Sequence, residues 1–270
     1  MNSNTHIFEL FDTSNLQINI KFLLDRNTDL NINNIDNVAR IISKKIEISD
    51  HKLFSQIKNR KIIPSVLGTI MAPFYFAVYN WLEHLEKLRK KMEEKNIPNS
   101  HIELISENIN DEKGYDGQNQ SIDKCHTTTY VNFLNSLGFK GKLNYTKAVI
   151  DFNSELDNIL ETKDIAYNAA VLAGIEYFYI EISSIISNYC NSESIKQNHY
   201  ELHEVLDYKH ASDLFELAKK CNATFYELLY GMAKGYSLLW NVFNNLNEEY
   251  LRENLDVPAY GNLFDFGFYY

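Results

Sequence analysis

Between residues 166 and 186 the chain reads AYNAAVLAGIEYFYIEISSII, apolar throughout except for two carboxylates, Glu176 and Glu181. Small residues at Ala170, Ala173 and Gly174 let a neighbouring backbone approach closely, and the spacing predicts a helix over 164–190. A helix apolar on every side has to be surrounded by other helices. Glu176 sits in the most apolar part of it, where an ionised carboxylate is costly unless it is paired or coordinates a metal.

The rest of the chain suits such a bundle. Only 10 Gly and 4 Pro in 270 residues leave little turn chemistry for a many-stranded sheet. VARIISKKI and HKLFSQIK repeat apolar residues at three and four, and Pro64 stands where a second helix begins, running to about Lys95. Ser100, with Glu103 three residues on, reads as a capping box for HIELISENIN. KGYDGQNQSIDK is a polar loop, CHTTTYVNFLNSLGF a helix ended by Gly138, and helical patterns follow over 144–161, 196–220 and 223–248. An N-terminal arm (1–34), a helical domain (35–250) and an aromatic C-terminal tail (251–270) are the expected divisions.

A formal charge of −10 argues against nucleic acid as a partner. Three cysteines, Cys125, Cys190 and Cys221, lack metal-type spacing, and MNSNTHIFEL lacks the basic start and apolar run of a signal peptide, so a reduced, cytoplasmic protein is expected. The uncharged stretch from Ile62 to Leu82 is long enough to span a bilayer, but its two prolines and its Ser, Thr and Asn favour burial within protein, with no membrane partner.

HEVLDYKH opens like the His-Glu-x-x-His zinc signature, but its fifth residue is Asp207 rather than histidine. On a helix, steps of four and three instead align His203, Asp207 and His210 on one face. Taken alone, this is either a metal-binding triad or a polar surface stripe. Upstream, ENINDEKG carries Glu107, Asp111 and Glu112 at a helix end, and His126 opens the helical run after the loop.

ENINDEKG, HTTTYVNFLNSLG, AAVLAGIEY and HEVLDYKH, in that order over about residues 37–248, resemble the successive motifs of the haem-oxygenase-like di-metal oxidases and oxygenases, nearest the chlamydial death-domain-associating (CADD-like) branch. The resemblance implies an all-α, haem-oxygenase-like seven-helix bundle and a homodimer. It implies six metal ligands: Glu112, His126, Glu176, His203, Asp207 and His210. Two iron ions, with manganese or mixed occupancy as alternatives, would activate O2 to oxidise a small amino-acid-like, amine or fatty-acid substrate. Glu176, the only ligand on its helix, is the natural bridge. The interval from Glu112 to His126 is longer than in close relatives, which makes 113–124 a loop over the site. Phe54 stands where that branch has tyrosine, and no lysine follows Glu176 on its helix, so its para-aminobenzoate-forming role is not implied. Phe74, Tyr75 and Tyr79 are expected to wall a substrate pocket. Two other readings stay open: a metal-independent cofactor-making or thiaminase-type enzyme of the same fold, with a catalytic cysteine or basic residues in its cavity, and a protein-interaction module.

Overall fold

The computed structural model describes residues 32–46 and 48–255. The arm and the aromatic tail of the sequence reading therefore lie largely outside the described residues. Ten α-helices account for most of the described chain: α1 (Ile35–Ile46), α2 (Lys52–Lys58), α3 (Pro64–Met71), α4 (Tyr75–Glu94), α5 (Asn99–Glu112), α6 (His126–Ser136), α7 (Lys147–Thr162), α8 (Ile165–Ser192), α9 (His199–Lys220) and α10 (Phe225–Leu255). The fold is all-α, apart from a two-stranded antiparallel hairpin, β1 (Tyr115–Asp116) and β2 (Asn119–Gln120).

Helix α8 is the axis of the bundle. Asp164 starts it by accepting a hydrogen bond from the Tyr167 backbone N–H at 2.8 Å, and most of its residues are buried, Glu176 among them. It is also long and apolar enough to cross a membrane, but 83% of the qualifying window is buried against protein, as expected of a core helix. Helices α9 and α10 make its most extensive contacts. The α8–α10 crossing is so close that a Cβ on Gly235 would lie 2.3 Å from the Val171 carbonyl oxygen, and one on Gly174 would lie 2.4 Å from that of Met232.

Several local expectations change. The apolar run from Ile62 to Leu82 is not one helix: Pro73 has no N–H to continue the ladder, so α3 and α4 meet through a 3₁₀ turn at Ala72–Phe74. Both helices turn Leu67, Ile70, Met71, Ala77, Val78 and Trp81 into the core. Ser100 does not cap α5, because the helix already starts at Asn99 after Pro98. Helix α6 ends as expected: Gly138 is left-handed (φ 80), with Phe139 N–H donating to Leu134 O at 3.1 Å and Gly138 N–H to Asn135 O at 2.9 Å. Helix α10 runs on to Leu255, past the expected end at 248.

The segment 113–124 is a folded clip rather than a simple loop. Gly114, left-handed at φ 75, lies so tightly against Ser121 O and Cys125 N that a Cβ would fall 2.5 and 2.8 Å from them. The Ser121 N–H donates to Gly114 O at 2.9 Å, and the Cys125 thiol donates to Lys113 O at 3.0 Å. The two ends of the clip are the last residue of α5, Glu112, and the first of α6, His126.

Candidate metal centre

Four helices aim the six acidic and imidazole side chains at one place. Closing the clip brings Glu112 Oε2 into direct contact with His126 Nδ1. Helix α8 supplies Glu176 from its buried middle. Helix α9 turns His203, Asp207 and His210 inward while Val205 and Tyr208 stay exposed, so its polar stripe is an interior one. His203 Nδ1 lies 2.7 Å from Asp207 Oδ1. His210 Nδ1 lies 3.7 Å from Glu176 Oε1, 3.9 Å from Glu112 Oε1 and 4.0 Å from Asp207 Oδ1. One potential ligand atom from each of Glu112, Glu176 and His210 falls within 4.8 Å of the other two; His126, His199 and His203 form a second such group. Asp207, near both His203 and His210, lies between the two groups.

Burial and the mutual charges of these side chains set the electrostatics of the cluster. Burial drives Asp207 well above the usual carboxylate range. Burial and then the Asp207 charge do the same to Glu176, against the pull of His210. Glu112 falls below its usual range: burial would raise it, but His126, then His203 and His210, outweigh that. Burial would lower His210, yet its hydrogen bond to Asp111 and the Glu176, Glu112 and Asp207 charges hold it up to about 9. Burial and the neighbouring His126 push His203 well below the ordinary imidazole value. Glu176 Oε1, Asp207 Oδ2, His210 Nδ1 and His126 Nε2 are buried with no hydrogen-bond partner among the described residues. Unpaired buried polar atoms are costly, and four of them on neighbouring acidic and imidazole side chains are what bound cations would satisfy. Three imidazoles and three carboxylates are the donor mix of intermediate metals such as iron and manganese.

His199 escaped the sequence reading although it precedes His203 by one helical step of four on the same stripe. Its ring nitrogens are already used. The Thr129 hydroxyl donates to His126 O at 2.9 Å, so it accepts from His199 Nδ1 at 2.9 Å. His199 Nε2 then accepts from the Tyr179 hydroxyl at 3.2 Å. His199 also stacks on His126 at a centroid distance of 5.0 Å, which braces the His126 ring.

A small cavity of ≈ 30 Å³ adjoins the cluster, with His126, Glu176 and His203 on its polar side and Phe74, Ala77, Val78, Trp81 and Tyr179 among its apolar walls. Phe74 is one of its walls. Tyr75 and Tyr79 do not line this cavity: Ala77, Val78 and Trp81 form the face that α4 turns towards it, and both tyrosines fall outside that face. Tyr79 is 58% exposed, and Tyr75 packs on Phe76 and Tyr79. The features expected of a metal-independent enzyme lie elsewhere. Cys125 is tied to the clip. Cys221 borders a separate cleft at the end of α9, where burial and Asp164 push its thiol up, opposite to the shift that activates a nucleophile.

No protein-family model matches the chain, and no curated protein matches it in sequence. Among solved structures, it is similar to a CADD-like protein of unknown function from Nostoc punctiforme PCC 73102. That match has a TM-score of 0.62 at 14% identity and covers 79% of this chain and 97% of the other. Likeness at that identity is a likeness of fold.

Proposed function

We propose that the chain is an O2-dependent oxidoreductase of the haem-oxygenase-like di-metal type, acting on a small amine, amino-acid-like or fatty-acid substrate. The observation that carries this reading is the convergence of Glu112, His126, Glu176, His203, Asp207 and His210, with four of their donor atoms buried and unpartnered. Those six residues would hold two iron ions, or manganese in one or both positions, and the bound metals would supply the binding and reduction of O2.

The chain's own residues do the rest. Phe74, Val78 and Trp81 give the cavity an apolar wall beside the cluster, and low polarity there strengthens the electrostatic interactions inside. At ≈ 30 Å³ the cavity has room for water or a diatomic molecule beside the cluster. The test is metal analysis of the purified full chain after anaerobic loading with Fe²⁺, followed by O2 consumption measured with an electrode. About two irons per chain, and O2 uptake faster than that of free Fe²⁺ and lost in Asp207→Ala and Glu176→Ala, is the expected result. Failure to retain iron, and manganese in a parallel loading, overturns the reading.

A further inference from the structure

Helix α5 presents two consecutive carboxylates, and only one points into the cluster. Glu112 reaches the inner side of His210, whereas Asp111, about 100° around the helix, reaches its outer side: Asp111 Oδ2 lies 3.2 Å from His210 Nε2. The opposite ring nitrogen, Nδ1, faces Glu112, Glu176 and Asp207 and is buried without a hydrogen-bond partner among the described residues. A second tie holds the same pair of helices, because the Asn108 amide donates to the His210 carbonyl at 3.3 Å. The lysines nearest in sequence are engaged elsewhere, Lys113 with Glu86 at 2.7 Å and Lys209 with Glu107 at 2.9 Å and Asp213 at 3.2 Å. Asp111 keeps 31% of its side chain exposed, so it stays hydrated while it bonds the ring.

We infer that Asp111 is a positioning residue that keeps the His210 proton on Nε2 and turns Nδ1 to the metal. This rests on the two-metal reading and adds to it a named residue outside the ligand set and a named ring nitrogen. His203 behaves differently on the same helix: its Nδ1 is taken by Asp207 at 2.7 Å, which leaves Nε2 as the nitrogen available to a metal. The two α9 histidines would thus bind through opposite nitrogens. Carboxylate partners of metal-bound histidines typically contribute about 10–100-fold in affinity.

The experiment uses the full chain labelled with ¹⁵N-histidine and Zn²⁺ as a diamagnetic probe, in wild type, Asp111→Ala, Asp111→Asn and Glu107→Ala. Long-range ¹H–¹⁵N spectra of the zinc-loaded wild type should show His210 protonated at Nε2 and metal-bound at Nδ1. Zinc affinity should fall by about 10–100-fold in Asp111→Ala, by less in Asp111→Asn, which keeps an acceptor oxygen, and not at all in Glu107→Ala. If Asp111→Ala loses its helical circular dichroism, Asp111→Asn carries the test. Wild-type affinity in both Asp111 variants, or zinc on His210 Nε2, overturns the inference while leaving the two-metal reading intact. A wild type that binds no zinc and no iron overturns both.

Discussion

Replacing Gly235 by alanine tests whether the α8–α10 crossing sets the position of Glu176. The new Cβ would stand 2.3 Å from Val171 O, 2.7 Å from Ile175 N and 2.9 Å from Gly174 C, where ordinary contact begins at 3.4 Å. All three obstacles are backbone atoms, so relief requires the helices to part by about 1 Å rather than a rotamer to turn. Overpacking of this kind costs about 3 kcal/mol at the upper end. Helix propensity returns about 1 kcal/mol for Gly→Ala, so the net loss should be about 2 kcal/mol. Because Ile175 directly precedes Glu176, the same displacement should weaken iron binding by about tenfold or more, metal sites tolerating only about 0.5 Å of misplacement. Gly68→Ala is the control, since its Cβ would meet only side-chain carbons at 3.2 and 3.3 Å and should be close to neutral. Urea unfolding and iron competition titration read both effects. A Gly235→Ala protein with wild-type midpoint and wild-type iron affinity would refute the reasoning.

Two pH-dependent outcomes follow from other buried groups. His51 caps α2 through Nδ1, its Nε2 bonds Trp240 O at 3.2 Å, and burial lowers it to about 4. The folded state therefore favours neutral His51, so this stabilisation is complete above pH 6.5 and is lost as pH falls from 6.5 towards 4; it amounts to about 3 kcal/mol. Comparing urea unfolding at pH 7 and pH 4.5, His51→Asn should be less stable at neutral pH and show a shallower acid loss than wild type. An equal loss in both proteins would refute the assignment. At the metal centre, any cation bound through His210 displaces a proton held up to about 9, so apparent metal affinity should climb with pH until about pH 9. Titration in buffers of differing ionisation heat should detect that proton release.

Much of the architecture could be read because burial on every side leaves a plain mark. The 166–186 run could only be a central helix, and the 3.6-residue period put His203, Asp207 and His210 on one face. Which face turns inward depends on neighbours that periodicity does not name: Phe74, just before α4, and Val78 and Trp81 on it are buried, whereas Tyr79 is exposed. Pro73 was visible as a residue, but its effect depends on the carbonyl it meets, so the break in the apolar run was missed. His199 and Asp111 were missed for a related reason. Their roles lie in what the two nitrogens of a single ring touch, a relation between helices separated by about a hundred positions in the case of Asp111 and His210. Order of motifs, rather than distance along the chain, paired Glu112 with His126.

The clip between those two residues separates loop length from site geometry. Its base is pinned by Gly114 against Ser121 and Cys125, whereas at its tip a Cβ on Gly117 would meet nothing within 4 Å. Residues added or removed beyond the pin would change the outline of the surface without altering how Glu112 and His126 meet. The tip of the hairpin is consequently a place to insert a fluorescent label or an affinity tag, giving a reporter that sits beside the centre and carries no strain into it.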